Sequence, residues 1–193
     1  MAWIAFLLAA PGVAHAHAQV GVAGGLASGF MHPILGPDHL VAMVAVGLWG
    51  AQLGAPAIWL LPVTFPTVMA VGGVLGVLGV PLPFVEIVIA LSAIVLGMMV
   101  ATAARPPVWV AAMLVGVFAV FHGYAHGAEL PNAANALAYG VGFVVATGLL
   151  HLTGILIGLL VRWPVGAKVV RVGGGAVAAV GGWFLLVHAG LVA

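Results

Sequence analysis

Two short stretches hold most of the chemistry this chain can offer a metal ion. HPILGPDH sets His32, Asp38 and His39 around a Gly-Pro break, and FHGYAHGAE sets His122, His126 and Glu129 at i, i+4 and i+7. At about 100° per residue the second trio falls within roughly 60° of one helical face. Imidazole and carboxylate together suit borderline divalent ions such as nickel, cobalt and zinc, and the lack of cysteine disfavours copper(I). Asp38, Glu86 and Glu129 are the only acids, and each lies inside or at the end of an apolar run. A carboxylate at a helix centre costs roughly 2.5–3.5 kcal/mol on insertion, so each needs a partner. The four basic residues lie elsewhere in the chain, which leaves protons, histidines or a bound cation.

Each feature also has a purely structural reading. Asp38 after Pro37 suits the first turn of a helix, where proline is preorganised and an acid complements the dipole. The face formed by His122, His126 and Glu129 could be a network that locks helices together. Glu86 could be a protonated, packed carboxyl, since neutralising it is cheaper than burying its charge. His151 and His188 are lone histidines on apolar helices and read as structural or interfacial. Met43 shares a side with His39 but reads as core filling. The two clusters together exceed these readings, because a broken helix lined by polar groups is how transporters expose a site at membrane depth.

The elements that must position these residues are membrane helices. Of the 193 residues, 65% are hydrophobic and 4% charged, with a mean hydropathy of +1.36, far outside the range of soluble domains. The net charge of +1 comes with no basic patch for nucleic acid. Apolar runs over about 19–53, 56–80, 84–104, 107–128, 132–161 and 167–190 are each long enough to cross a bilayer. The first is too long for one plain helix. It is expected to run to about His32, pass through an irregular link and restart near Pro37. The fold expected is therefore all-α: a polytopic membrane protein of six transmembrane helices, the first interrupted.

The first residues, MAWIAFLLAAPGVAHAHA, have an apolar core too short to span, followed by Ala14-His15-Ala16, a small-x-small cleavage pattern. Residues 1–16 read as a signal peptide and 17–193 as the six-helix transmembrane domain. Cleavage there would expose His17 as a chelating N-terminal histidine. All four basic residues sit in or beside two breaks, Arg105 in one and Arg162, Lys168 and Arg171 at the other. The positive-inside rule makes that side cytoplasmic, so both mature ends are expected in the periplasm of a bacterial inner-membrane protein. Gly72, Gly76, Gly79, Gly154, Gly158 and Gly173 to Gly175 suit close helix packing in lipid.

HPILGPDHLVAMVAVGLWG resembles the signature of the HupE/UreJ family of nickel permeases, which accompany hydrogenase and urease. Its histidine, five intervening residues and Asp-His fall on His32, Asp38 and His39. FHGYAHGAE is similar to a second family segment and aligns His122, His126 and Glu129, while Glu86 matches an acidic position in a middle helix. The resemblance covers essentially the whole chain. It implies a non-enzymatic permease importing Ni(2+), with Co(2+) as the alternative cargo, to supply hydrogenase or urease maturation.

With no Walker A motif, the chain cannot use ATP by itself. A dication moving inward gains about 4.6 kcal/mol per 100 mV of membrane potential, which suffices for secondary transport. The ligands expected are His32, Asp38, His39, His122, His126, Glu129, Glu86 and His17, at one ion or at two sequential sites. No cofactor is required; the partners are the divalent ion, the lipid bilayer and, in an assembly, further copies of the chain. The rival readings are a membrane-embedded zinc metalloenzyme, with a water activated by Glu129 or Glu86, and a haem-binding carrier.

Overall fold

The computed structural model describes residues 21–130 and 135–192, which form seven α-helices and no strand. The leader expected over 1–16, and His17, lie outside the described residues. In chain order the helices are α1 (Gly21–Leu35), α2 (Pro37–Leu53), α3 (Ala57–Val77), α4 (Val85–Thr102), α5 (Val108–Ala128), α6 (Ala136–Gly158) and α7 (Pro164–His188). A 3-10 turn, Leu159–Arg162, joins the last two. Helices α3 to α7 are each long and apolar enough to cross a membrane; α1 and α2, bent by 80° at their junction, make the sixth when counted as one broken span.

The interruption is narrower than the expected 33–37 link. Pro33 lies within α1, which runs to Leu35, and the break is Gly36 alone. Pro37 disfavours helical geometry in the residue before it, and Gly36 adopts φ −88°, ψ 101°. Proline then opens α2, with Asp38 in its first turn. The last helix begins at Pro164, about three residues before the expected run, and carries Lys168 and Arg171 inside it.

Glycine sets how closely the helices approach. A Cβ on Gly123 of α5 would meet the Met69 carbonyl of α3, and one on Gly72 of α3 would meet that of Val120. Gly47 of α2 and Gly154 of α6 face each other's backbones likewise. Gly97 of α4 abuts Gly174 and Ala178 of α7. Such small-residue seams supply van der Waals contact where lipid removes the hydrophobic drive for helices to associate. The dominant pairs are α3 with α5, α4 with α7, and α6 with both α1 and α2. Exchanging the first three spans for the last three turns the α2–α6 pair into α5–α3 and maps α4–α7 onto itself. That is the pairing expected of two inverted halves.

The bundle has a basic and an acidic end. Helices α2, α4 and α6 run from the acidic end to the basic one; α3, α5 and α7 return. At the basic end, Trp49 Nε1 donates to the Ala104 carbonyl at 3.0 Å, Gln52 Nε2 to Val100 at 3.0 Å and Arg171 Nε to Ala101 at 2.7 Å. These donors bond carbonyls at and just beyond the end of α4, where intrahelical donors run out. Trp59, Trp109 and Trp163 are exposed at the same end, as in an interfacial aromatic belt. The carboxylates gather at the other end, in the first turns of α2 and α4 and after the last turn of α5.

Candidate metal centre

Four helices deliver the expected imidazoles and carboxylates to the acidic end. His32 comes from the last turn of α1, Asp38 and His39 from the first turn of α2, and His122, His126 and Glu129 from the end of α5. Glu86 comes from the first turn of α4. The rings form one chain of contacts: His32 to His126 at 4.7 Å between centroids, His126 to His39 at 4.5 Å and His39 to His122 at 4.8 Å. Phe143 and Tyr139 of α6 and Phe65 of α3 wall the chain with apolar rings.

Hydrogen bonding fixes which ring nitrogens keep a lone pair. Asp38 Oδ1 accepts from the His39 backbone N–H and from His39 Nδ1, each at 2.9 Å. The ring proton is thereby held at Nδ1, and Nε2 carries a lone pair that is buried without a partner among the described residues. A carboxylate orienting an imidazole in this way is the usual second layer of a metal site. His122 is set up by a different device. Ser92 Oγ donates to the Ile89 carbonyl at 2.6 Å, so it can only accept from His122 Nε2, 2.9 Å away. Nδ1 of His122 is then the atom with the lone pair, again buried and unpartnered among the described residues. Neither nitrogen of His126 has a partner among the described residues. Burying such groups without a hydrogen bond costs roughly 1–3 kcal/mol each, a cost that a ligated cation would remove.

Folding regroups the two sequence clusters. His32 Nε2 lies 3.3 Å from Glu129 Oε2, and one ligand atom from each of His32, Glu129 and His126 lies within 4.8 Å of the others. Bonds of about 2.1 Å in a tetrahedral site place ligand atoms about 3.4 Å apart, so small rotations would close this trio on an ion. Its depth is graded: His126 is buried, while the side chains of His32 and Glu129 are 34% and 56% exposed. His122 shares the α5 face with His126 and Glu129 but turns to Ser92 and His39. Glu86 stands apart from the imidazole chain and meets His188 at 3.8 Å. Met43, buried in the core, accepts from Thr147 Oγ1 at 3.5 Å.

The sequence singled out neither Ser92 nor Phe65, and it offered His151 and His188 only as structural or interfacial histidines; the structure sets all four beside the candidate ligands. Phe65 packs between His122, at 5.3 Å, and the fully buried His151, at 5.4 Å. A lone histidine or serine in an apolar helix carries no local signal of its partner. A signal for His188 did exist: it closes the last helix, at the end where an antiparallel neighbour must bring the Glu86 turn.

A profile of the family described as HupE / UreJ protein matches residues 4–184. Protein HupE of Rhizobium leguminosarum bv. viciae is 49% identical over 179 residues, which cover 93% of each chain. No solved structure matches. A family match across nearly the whole length, together with a relative at this identity, shows that the chain belongs to the HupE/UreJ family.

Proposed function

We propose that the chain is a secondary permease that imports Ni(2+), with Co(2+) as a competing cargo, and so supplies a hydrogenase or urease with its metal. One observation carries this reading. Lone pairs on His39, His122 and His126 that have no partner among the described residues line one buried track, and the half-exposed His32 and Glu129 stand where that track meets the surface. An ion captured by Glu129 and His32 passes to His126 within one ligand shell, then to His39 and His122 by ring-to-ring steps of under 5 Å. Nitrogen-rich ligation favours nickel, cobalt and zinc over magnesium and calcium, which prefer oxygen.

The basic residues at the opposite end support an inner-membrane orientation with the metal-binding end outside. Inward movement of a dication then releases about 4.6 kcal/mol per 100 mV, so no ATP is needed. Moderate affinity follows from the site's divided character, with three ligands in each other's reach and the others strung beyond. Uptake of radioactive nickel at sub-micromolar metal with excess magnesium tests the proposal in cells expressing the chain. Accumulation above empty vector, reduced by added cobalt, is expected. Equal counts in both cells would refute it.

A further inference from the structure

The glycine seam between α4 and α7 sets an antiparallel register with a chemical consequence. Gly174 abuts Ala101 and Gly97, and Gly181 abuts Ile94 and Ala90. About two turns further along each helix the same register brings His188, the last residue of α7, to Glu86 in the first turn of α4. The His188 Nε2 to Glu86 Oε2 distance is 3.8 Å. Asp38, at the start of α2, completes the group: one ligand atom from each of the three residues lies within 4.8 Å of the others. Three separate helices converge here, and none of these atoms belongs to the His32, His126 and Glu129 group.

We infer that Asp38, Glu86 and His188 form a second coordination station for a divalent transition-metal ion, linked to the first through the Asp38–His39 pair. The inference rests on the permease reading of the neighbouring histidine track. The donor sets of the two stations differ. Two carboxylates and one imidazole neutralise a dication in full, whereas His32, His126 and Glu129 supply two imidazoles and a single negative charge. The second station therefore gathers dications by charge, and the nitrogen-rich one discriminates among them. The side chains of Glu86 and His188 are 46% and 26% exposed, which gives an ion access from outside, while Asp38 is buried against His39. Ions at both stations repel one another, so arrival at one favours departure from the other, as in multi-ion conduction.

The competing account is a simple ion pair between His188 and Glu86 that ties α7 to α4. His188→Lys separates the two, because it keeps a cation beside Glu86 but removes the lone pair. The full chain, purified from membranes in detergent, is titrated with Co(2+), reading the ion's d–d absorption and the number of ions bound at equilibrium dialysis. Two ions per chain are expected for the wild type and one for His188→Lys, with His126→Leu also losing one. His188→Gln is read by the same criterion should the lysine variant not purify as a monodisperse protein. Two ions bound by the His188 variant, or one by the wild type, overturns the inference. Nickel uptake by the same proteins separates the two claims. Uptake in the wild type with unchanged stoichiometry in the variant sinks the second station and leaves the permease standing. Loss of one ion in the variant without any wild-type uptake supports the station and removes the transport reading.

Discussion

Asp38→Asn isolates the charge of one carboxylate from its geometry. Asparagine has the same shape, and its side-chain oxygen can still accept from the His39 backbone N–H and from Nδ1, both at 2.9 Å in the wild type. His39 thus keeps its orientation and its Nε2 lone pair, and the first turn of α2 stays intact. What disappears is one negative charge beside a buried imidazole that, on the proposed path, faces the ion. A dication about 4 Å from a carboxylate gains about 8 kcal/mol at an effective dielectric of 20, twice the figure for two unit charges. Much of that is offset by desolvating the carboxylate, which is largely buried here. A net loss of about 3 kcal/mol, roughly a hundredfold in affinity, is the expected outcome. The assay is initial-rate uptake of radioactive nickel at sub-micromolar metal, at matched amounts of protein in the membrane. Asp38→Asn should fall close to background there and recover in part when nickel is raised a hundredfold. Uptake within twofold of wild type at the lowest metal would show that Asp38 serves only the helix terminus, and the charge reasoning would be wrong.

Other consequences of the geometry can be checked with the same tools. Glu129→Gln and His32→Asn each remove one proposed ligand of a pair 3.3 Å apart, so each should cut uptake at least tenfold. The double variant should be no worse than the weaker single, whereas additive losses would mean that the two act independently. Ser92→Ala frees His122 Nε2 from its acceptor and lets the ring take the other tautomer; uptake should drop about tenfold with thermal stability little changed. Gly123→Ala places a methyl group against the Met69 carbonyl and should destabilise the detergent-solubilised protein by about 3 kcal/mol in thermal unfolding. Gly116→Ala on the same helix, with only Thr64 and Val68 methyls nearby at 3.8 and 3.9 Å, should be neutral within error.

The helices and the break in the first span were legible in the chain because both follow from local rules. Apolar runs of spanning length, punctuated by Pro and Gly, became α3 to α7 within a few residues of their expected bounds. The Gly-Pro pair announced the break before α2, because proline constrains the residue preceding it whatever surrounds it. The width of that break was overestimated. Pro33 at the end of α1 lacks a donor but has a φ that a helix accepts, so the helix continues through it to Leu35.

By itself, the sequence determined a polytopic helical membrane protein whose scarce charge is sorted between its two ends, and the residue types able to bind a borderline dication. Only the tertiary structure decided which of them meet. Helical periodicity put His122, His126 and Glu129 on one face, but ligands must converge on a point, and a face along one helix does not converge. The bend at Gly36 turns His32 toward His126 and Glu129 while leaving Asp38 to hold His39 and to approach Glu86 and His188. The α4–α7 register, set by glycines far from either residue, brings His188 to Glu86. Local spacing fixes angles around one axis. Distances between axes depend on which small residues let two backbones touch, and that is a property of helix pairs that no single segment carries.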